Sequence, residues 1–375
     1  MQLMEEQGSS VAVIVPVYNQ PKRVGDIIGK VLACGCPTCS VNVIVDGFRN
    51  DEIDAALAPW EGRIRLLRND ERLGKTASLM KAVQGLEEDI FLFIDNDIVL
   101  PDDPTFIGAF IDSMKKADIA NFPIDIVGKG IYPRMMRMEF LAIDLMQTIF
   151  SKIGHHSPAV VGMALGIRRK LFEELGGFRR VVCEDLDLGA RAFHAHARFA
   201  FDSKHLIVSD GPETFGEWMN QRKRWAVNNI VWFNDHFFKI IQHAFGSPRF
   251  FLSAIMMFMP TLVLTAVFLG LRDVRLGNVL PLIYLVLGNF SFSANILYWV
   301  SHFNVFIFDG LLPTLGGLLL SELLYFALAQ RFKVRFNPLD FILYYFIYSP
   351  VLIVANIVAW FIVIFRIDIG FDWKT

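Results

Sequence analysis

Two carboxylates separated by a single residue follow the apolar run 90–94, in the order Asp95-Asn96-Asp97. Carboxylates at the exit of a buried strand can hold a hard divalent cation and leave coordination positions free for phosphate oxygens. Aspartates at such positions also cap helices, so the pair alone is compatible with a metal site or with a cap. Asp46 ends a second apolar run, 41–45, and this further acidic group favours the metal interpretation.

Basic groups and a glycine precede the helix that is predicted to begin at Lys75. Residues 68–75 read Arg-Asn-Asp-Glu-Arg-Leu-Gly-Lys. The free N–H groups and the dipole at a helix N-terminus favour anions. This segment therefore predicts a binding site for a diphosphate.

Two later clusters also combine groups that can do chemistry. Glu184 and Asp185 precede an apolar helix, where they can either compensate the helix dipole or provide a general base. Residues 221–225 read Gln-Arg-Lys-Arg-Trp. Arg224 can neutralise a leaving diphosphate, and Trp225 can stack on the apolar face of a sugar ring. The alternative for this segment is a basic anchor with a tryptophan at a membrane interface.

Secondary-structure elements must hold these side chains in place, and the pattern of the N-terminal part of the chain predicts alternating strands and helices. Continuous apolar runs rich in β-branched residues predict buried strands, and helical stretches lie between them. The alternation has the spacing of βαβ units with right-handed crossovers, whose ligands bind beyond the carboxyl ends of the strands. Asp46, Asp95 and Asp97 all lie at such ends. The predicted strands are 11–15, 41–45, 64–67 and 90–94, and the predicted helices are 22–32 and 75–86.

We call residues 1–249, which read like a soluble α/β domain, the head. Two amphipathic helices are predicted later in the head, over 134–153 and 225–244. Each can pack on the sheet or lie in a membrane interface, and the apolar segments that follow favour the interface. The polar stripe of the first comprises Arg137, Asp144, Thr148 and Ser151, and that of the second Asn228, Asp235, Lys239 and Gln242.

The C-terminal part of the chain is far more apolar than the head. Hydrophobic residues make up 54% of the whole chain, and residues 250–365 contain only nine Asp, Glu, Lys or Arg. Runs of about 20 apolar residues are long enough to cross a bilayer. We predict four membrane spans, at 250–271, 279–300, 304–328 (which contains Asp309 and Glu322) and 341–365.

Four spans place both chain ends in the cytosol, with 366–375 as a cytosolic tail. The positive-inside rule opposes this arrangement, because five basic residues would then lie on the far side of the membrane. We nevertheless expect a multi-pass protein of the cytoplasmic membrane whose head faces the cytosol, since the expected substrate is cytosolic. The five residues are Arg272, Arg275, Arg331, Lys333 and Arg335.

Charge and cysteine content exclude other classes. The net charge of -2 gives no support for nucleic-acid binding. Four cysteines are too few for a disulfide framework. Cys34, Cys36 and Cys39 lie close enough to bind zinc, but a fourth ligand is not evident nearby, so we expect a structural loop with reduced cysteines. The start of the chain, with Glu5 and Glu6, predicts no secretory signal peptide.

Taken together, these motifs resemble the inverting glycosyltransferases of family 2. The resemblance is to the membrane-integral branch with the GT-A fold, which includes cellulose, chitin and hyaluronan synthases and ceramide glucosyltransferases. It covers about residues 11–235. The matching pieces, in family order, are Pro16-Val-Tyr-Asn19, Val45-Asp-Gly47, Gly74-Lys75, Asp95-Asn-Asp97, Val161–Arg169 with Leu175-Gly-Gly-Phe178, Glu184-Asp185 and Gln221-Arg-Lys-Arg-Trp225.

The resemblance implies a fold and a division of the chain. A cytosolic α/β GT-A domain with a Rossmann-like mixed sheet is expected over 1–235, including the two amphipathic helices. An α-helical transmembrane domain of about four helices follows over 250–365.

The resemblance also implies a role for each matching residue. Asp185 would be the general base that deprotonates the acceptor hydroxyl, with Glu184 beside it. Asp97, with Asp95, would bind Mg²⁺ or Mn²⁺, and Trp225 would bind the acceptor. The residues that would bind the donor nucleotide and its diphosphate are Pro16, Tyr18, Asn19, Asp46, Lys75, Asp95, Gln221 and Arg224.

Three functions remain open. The favoured one is a membrane-bound, metal-dependent hexosyltransferase that moves a sugar, with inversion, from a nucleotide diphosphate donor to a membrane lipid, and a UDP-sugar is the expected donor. The second is a processive polysaccharide synthase that exports its polymer, as segment 221–225 and the ending Trp373-Lys-Thr375 suggest. The third, a transporter with a degenerate enzyme head, ranks last because every catalytic position is intact.

Overall fold

The computed structural model describes residues 9–181, 183–251 and 311–365. Four predicted segments lie outside these residues: the first span from 252 onward, the span 279–300, residues 304–310 of the third span, and the tail 366–375 with Trp373–Thr375. The described strands are β1 (Val11–Val17), β2 (Cys39–Val45), β3 (Arg65–Arg68), β4 (Ile90–Ile94), β5 (Ile98–Val99), β6 (Ile119–Asn121), β7 (Ile124–Val127), β8 (Ala164–Arg168), β9 (Phe199–Phe201) and β10 (Ile207–Asp210).

The helices of the head carry the labels α1 to α8. They are α1 (Val24–Ala33), α2 (Asp51–Leu57), α3 (Lys75–Ala82), α4 (Phe106–Met114), α5 (Ile131–Ile149), α6 (Arg169–Glu174), α7 (Glu184–His194) and α8 (Phe215–Gly246). The chain after 310 contributes α9 (Leu311–Phe332), α10 (Pro338–Leu343) and α11 (Ser349–Ile364).

A seven-stranded mixed sheet forms the head, in the order β3-β2-β1-β4-β8-β6-β9. Strands β1 to β4 are mutually parallel, and β8 runs antiparallel to β4 and β6. The four strands predicted from the sequence are confirmed to within two residues at each end. A three-stranded sheet, β5-β10-β7, lies beside the main sheet.

The central strands are buried because both faces of the sheet are covered. Val11, Val13 and Val15 of β1 pack with α1, and Ala12 and Ile14 pack with α3 on the other face. All five are fully buried. This double burial explains the continuous apolar runs. Because β1, β2 and β4 are parallel, their carboxyl ends lie at one edge of the sheet.

Helix α5 is packed on the head rather than free on its surface. Its predicted polar stripe faces inward: Asp144 is 2% exposed, and the Arg137 side chain forms an ion pair of 2.7 Å with Asp125 of β7. Burial raises the pKa of Asp144 well above its usual value. For this helix the sheet-packed alternative is therefore correct, because the polar groups find partners inside.

Helix α8 begins ten residues earlier than the predicted 225–244 helix. A capping box starts it: Thr214 Oγ1 accepts from the backbone N–H of Glu217, whose carboxylate accepts from the backbone of Thr214. Segment 221–225 thus lies inside the helix. One face of α8 is buried, whereas Phe238 and Phe245 on the other are 81% and 80% exposed.

The C-terminal helices dock on α5. Phe332, Val334 and Phe341 are buried against Met138 and Leu141, and Arg134 forms an ion pair with Asp340. The connection between α9 and α10 therefore lies against the head. Apolar contacts hold this connection on α5, and the side of the membrane on which Arg331, Lys333 and Arg335 lie stays a prediction.

Within the described residues, one helical run is long and apolar enough to cross a membrane. It extends from Pro338 to Ile364 and matches the fourth predicted span. Helix α9 covers the second half of the third predicted span.

The expectation of reduced cysteines is also wrong for two of them. Cys36 and Cys39 form a disulfide in the turn between α1 and β2, whereas Cys34 is free. The turn brings their Cα atoms to 5.4 Å, which is the ordinary span of a disulfide.

Candidate functional site

A polar pocket lies at the carboxyl edge of the main sheet, where β1 and β4 end and α3 and α7 begin. Four ionisable side chains from three separate segments meet there: Lys75, Asp95, Glu184 and Asp185. The other lining residues are Pro16, Leu79, Phe93, Gly162, Leu165 and Phe178. The structure thus brings together Lys75 of the predicted diphosphate segment, Asp95 of the predicted metal pair and the predicted base.

Lys75 is the cation at the centre of this pocket. Its Nζ lies 2.7 Å from Asp95 Oδ1 and 3.5 Å from Glu184 Oε1. Burial alone would lower the pKa of Lys75, but the charges of Asp95, Glu184 and Asp185 raise it well above its usual value. The ammonium therefore stays charged at physiological pH, and three carboxylates compete for it.

Asp185 is held at the start of α7 by two backbone donors. Its Oδ2 accepts from Gly162 N at 2.7 Å and its Oδ1 from Leu186 N at 2.8 Å. Burial and the neighbouring charge of Glu184 raise the pKa of Asp185 to about 6, against the opposing effects of Lys75 and the two N–H groups. A carboxylate with this pKa accepts a proton more readily than an ordinary aspartate and is still ionised at neutral pH.

Gly162 is a site residue that the motifs alone do not reveal. A Cβ atom built on it would lie 2.8 Å from Asp185 Oδ2 and 3.0 Å from Asp185 Cβ. The close approach of backbone and carboxylate therefore requires glycine, and the N–H bond to Oδ2 depends on that approach. The quoted segment Val161–Arg169 contained this residue, but the sequence carried no signal for the contact.

In the structure, the two carboxylates of the predicted metal pair lie next to two different lysines. Asp95 faces Lys75, and Asp97 Oδ2 lies 3.1 Å from Lys22 Nζ. Burial raises the pKa of Asp95, and the charge of Asp97 adds to that effect. The two carboxylates offer the hard oxygen ligands that Mg²⁺ and Mn²⁺ prefer, and their repulsion favours a cation between them. Among the described residues no cluster of three His, Cys, Asp or Glu has metal-binding geometry, so further ligands would come from the donor and water.

Asp46 has a different environment from the one that the sequence suggests. Its Oδ1 accepts from Leu73 N and its Oδ2 from Gly74 N, each at 2.8 Å. Asn69, 3% exposed, donates to Asp46 Oδ1 at 2.9 Å and to Ser78 Oγ at 2.8 Å. The Asp46 carboxylate braces the turn that leads into α3, and its contact with a nucleotide stays a prediction.

The predicted donor residues after β1 form an exposed shelf. Tyr18 is 40% exposed, and the Arg72 guanidinium lies over its ring at 4.4 Å from the centroid, next to Gly47. Asn19 adopts a left-handed backbone conformation, and its carbonyl accepts from Asn50 Nδ2 at 2.9 Å. This shelf adjoins the pocket through Pro16.

Helix α8 approaches the start of α7. Burial and the charges of Asp185 and Glu184 raise the pKa of the Cys183 thiol, and the nearby Asn228 and Arg224 act in the opposite direction. Trp232 Nε1 donates to the backbone oxygen of Leu186 at 3.2 Å. Helix α8 thus contacts the first turn of α7 through Trp232, and the contact of Arg224 with a diphosphate stays a prediction.

The other two predicted residues of α8 face the interior. Trp225 packs edge-on against Phe140 of α5, at 6.2 Å between ring centroids. Gln221 Oε1 is buried and has no hydrogen-bond partner among the described residues. Their substrate contacts stay predictions.

The family model "Glycosyl transferase family group 2" matches residues 90–365, most of the chain and all of the sites just described except the segments around Tyr18, Asp46 and Lys75. The chain belongs to this family. The sequence-based resemblance to glycosyltransferase family 2 is thereby confirmed.

Three known proteins are similar to this chain. "Probable glycosyltransferase YdaM" of Bacillus subtilis is 24% identical over 52% of this chain and 49% of its own length. "Probable glucomannan 4-beta-mannosyltransferase 9" of Oryza sativa is 26% identical over 58% of this chain and 44% of its own. The chain thus spans about half the length of these curated relatives. The structure of "Mannosyltransferase PcManGT from Pyrobaculum calidifontis in complex with GDP-Man and Mn2+" has a TM-score of 0.55 at 15% identity, over 96% of this chain and 88% of that one, and supports the GT-A-like mixed α/β fold.

Proposed function

We propose that this chain is an inverting glycosyltransferase that moves a sugar from a nucleotide diphosphate donor to a hydroxyl group at a membrane. The observation that carries the proposal is the meeting of Lys75, Asp95, Glu184 and Asp185 in one pocket at the carboxyl edge of the sheet. Membership of the glycosyl transferase family supports the reaction class.

Asp185 is the general base of the proposed reaction. Its carboxylate takes the proton of the acceptor hydroxyl while that oxygen attacks the anomeric carbon of the donor sugar. The bond from this carbon to the diphosphate oxygen breaks, and its electron pair leaves with the nucleoside diphosphate. Attack from the side opposite the leaving group inverts the anomeric configuration. The raised pKa of Asp185, about 6, suits proton transfer near neutral pH.

Two kinds of positive group would stabilise the negative charge on the leaving diphosphate: basic side chains and a divalent cation. Lys75 supplies positive charge next to Glu184, and Arg224 of α8 is the second cation that we propose for the diphosphate. Asp95 and Asp97 would hold Mg²⁺ or Mn²⁺ against the phosphate oxygens, and the bound cation neutralises charge that develops on the diphosphate. The N-terminus of α3, after Gly74, provides further donors for a phosphate.

The observations identify the nucleotide of the donor less closely than its diphosphate. A UDP-sugar is our expectation from the family resemblance. Two similar proteins are named as mannosyltransferases, and one of them was determined in complex with GDP-Man. GDP-mannose and UDP-hexoses are therefore the donors to assay first.

A membrane lipid is the proposed acceptor. The apolar run Pro338–Ile364 can cross a bilayer, and the exposed Phe238 and Phe245 of α8 can enter a lipid surface beside the head. An acceptor that slides in from the leaflet would reach Trp225 along this helix. We accordingly propose a cytoplasmic membrane location with the head facing the cytosol.

A second candidate function is extension of a polysaccharide. The observation that favours it is the name of the rice relative, a glucomannan mannosyltransferase. The sugar acceptor would then be the end of a growing chain that stacks on Trp225. The two candidates share the donor chemistry and differ only in the product.

The test uses the full chain in lipid vesicles with radiolabelled GDP-mannose or UDP-hexoses and Mn²⁺. We expect release of nucleoside diphosphate and a single-sugar product that extracts into organic solvent. A ladder of polymer that a glycanase cuts would replace the lipid candidate with the second one. Absence of nucleotide release and transfer with every donor would overturn the proposed function.

A further inference from the structure

One face of α8 carries two tryptophans and an arginine between them. Trp218, Arg222 and Trp225 follow each other at spacings of four and three residues, so they project from the same side of the helix. This face looks toward α5 and the start of α11 rather than toward solvent. Trp218 stacks on Tyr132 of α5, at 5.5 Å between ring centroids and 26° between planes.

Arg222 is the buried charge on this face. It is 4% exposed, and its Nη1 donates to Glu139 Oε1 of α5 at 2.8 Å. Its Nε and Nη2 atoms are buried and have no hydrogen-bond partner among the described residues. Instead, the guanidinium lies over two aromatic rings, 4.5 Å from the centroid of Trp225 and 5.7 Å from that of Tyr348.

Tyr348 ties the same cluster to the C-terminal helices. Its hydroxyl donates to Glu139 Oε2 at 3.2 Å and accepts from Trp218 Nε1 at 3.1 Å. The two oxygens of Glu139 therefore orient the Arg222 guanidinium and the Tyr348 ring at once. Tyr348 is 6% exposed, so these contacts are shielded from water.

The stacking contacts explain why an arginine occupies this position. A buried arginine with two unpaired N–H groups costs free energy unless other contacts offset it. A planar guanidinium can stack on two rings at once, and a cation–π contact is stronger when it is shielded from water, as it is here. A lysine would keep the ion pair with Glu139 but could not stack in this way.

We propose that Arg222 is a positioning residue that holds the Trp225 ring in the orientation that receives the acceptor, and that Glu139 and Tyr348 hold Arg222. The proposal rests on the proposed function, in which Trp225 contacts the acceptor. It adds a buried contact that couples the acceptor site to Tyr348, the residue directly before α11. Arg222 itself need not touch donor or acceptor, since its contacts lie between α5, α8 and the C-terminal segment.

The first experiment compares Arg222→Lys with Lys223→Arg, the exposed neighbour on the same helix. Arg222→Lys keeps the charge opposite Glu139, so the buried carboxylate is not left unpaired. We expect the acceptor KM to rise about tenfold in Arg222→Lys, with donor KM and the slow hydrolysis of donor by water unchanged. Lys223→Arg should behave like the wild type in all three measurements.

Two further variants separate positioning from folding. Tyr348→Phe keeps the ring under the guanidinium and loses only the hydroxyl, so it should raise the acceptor KM less than Arg222→Lys does. The double variant Glu139→Gln/Arg222→Met removes both charges together, so neither position keeps a charge without its partner. It should fold and should show the same rise in acceptor KM as Arg222→Lys.

A readout without turnover completes the test. The contribution of Trp225 to tryptophan emission is measured as the difference between each parent protein and its Trp225→Phe derivative. This difference spectrum should change in Arg222→Lys and not in Lys223→Arg, whether or not the assayed donors are turned over. An unchanged spectrum, or equal losses in donor hydrolysis and transfer, would overturn the positioning role. Failure of the proposed function instead shows as a wild type without transfer.

Discussion

Two regions of the head bury charge, and they balance it differently. In the pocket, the cation Lys75 faces the carboxylates of Asp95, Glu184 and Asp185. On the inner face of α8, the cation Arg222 faces the single carboxylate of Glu139 and two aromatic rings. The first region has an excess of negative charge in the absence of ligand, and the second is neutral.

The difference teaches how to tell a binding site from a structural contact. Burial raises the pKa of Asp95 and Asp185, and the neighbouring negative charges of Asp97 and Glu184 raise it further. Such a site gains from a ligand that brings positive charge. The neutral pair on α8 needs no ligand, which suits a residue that positions its neighbours. The predictions below test this distinction in order of expected effect.

Removal of divalent cations should have the largest effect. With EDTA we expect transfer to fall to background, because Lys75 alone does not balance three carboxylates and the remaining negative charge repels the diphosphate of the donor. Added Mn²⁺ or Mg²⁺ should restore activity, and EDTA preloaded with Mg²⁺ serves as the control. Full activity in free EDTA would mean that Lys75 and Arg224 alone meet the negative charge.

Replacement of the proposed base comes next. Asp185→Asn keeps the shape of the side chain but cannot take a proton at neutral pH. We expect kcat for transfer to fall by roughly two to four orders of magnitude, with nucleotide binding retained. Asp112→Asn, an exposed change on α4, is the matched control. If binding weakens and kcat does not change, Glu184 becomes the first candidate for the base.

The backbone contact at Gly162 should matter nearly as much. In Gly162→Ala, the new methyl group would lie 2.8 Å from Asp185 Oδ2 and must push the carboxylate away. A shift of about 1 Å at a reacting group costs roughly a hundredfold in rate, so we expect a loss of that size in kcat. Gly108→Ala on α4 is the control, since a Cβ there meets no atom within 4 Å. Equal activity of the two variants would show that the Gly162 contact does not position the base.

The smallest effect is a pH dependence with opposite signs for activity and stability. Transfer should rise as pH increases through about 6, because Asp185 must be ionised to act as a base. The pKa of Asp185 is higher in the folded protein than in an unfolded chain, so its contribution to stability is present below about pH 4 and is lost as pH rises through 6. Rate profiles and thermal unfolding between pH 4 and 8 measure both, and Asp185→Asn should remove this dependence of stability. A rate that stays flat through pH 6 would contradict the assignment.

Much of the fold was predictable because its signals are local. The runs at 11–15, 41–45, 64–67 and 90–94 are strands in the structure, since a strand buried on both faces must be apolar at each position. The start of α7 at Glu184 and of α3 at Lys75 also followed from neighbouring residues. Because carboxyl ends of parallel strands share one edge, the meeting of Lys75 with Asp95 could be expected without coordinates.

Other features depend on partners far away in the chain. The sequence left open whether α5 packs on the sheet or lies in a membrane interface, and only the contacts of Arg137 and Asp144 with strand β7 decide for packing. The start of α8 was predicted at residue 225 because its apolar period is clear only from there, whereas the capping box at Thr214 begins it. The contact between the basic connection after α9 and α5 was not predicted, because it joins segments far apart in the chain.

The sequence by itself determined which residue types stand at the carboxyl ends of the strands and which helices begin with acids, because a residue and its near neighbours decide these features. Tertiary structure alone decided what each charge faces. Asp46 braces a turn 27 residues away, Gly162 must be a glycine because Asp185 approaches it, and Arg222 meets Glu139 across 83 residues. Local periodicity carries no information about such partners, which are set by how the helices pack on the sheet and on each other.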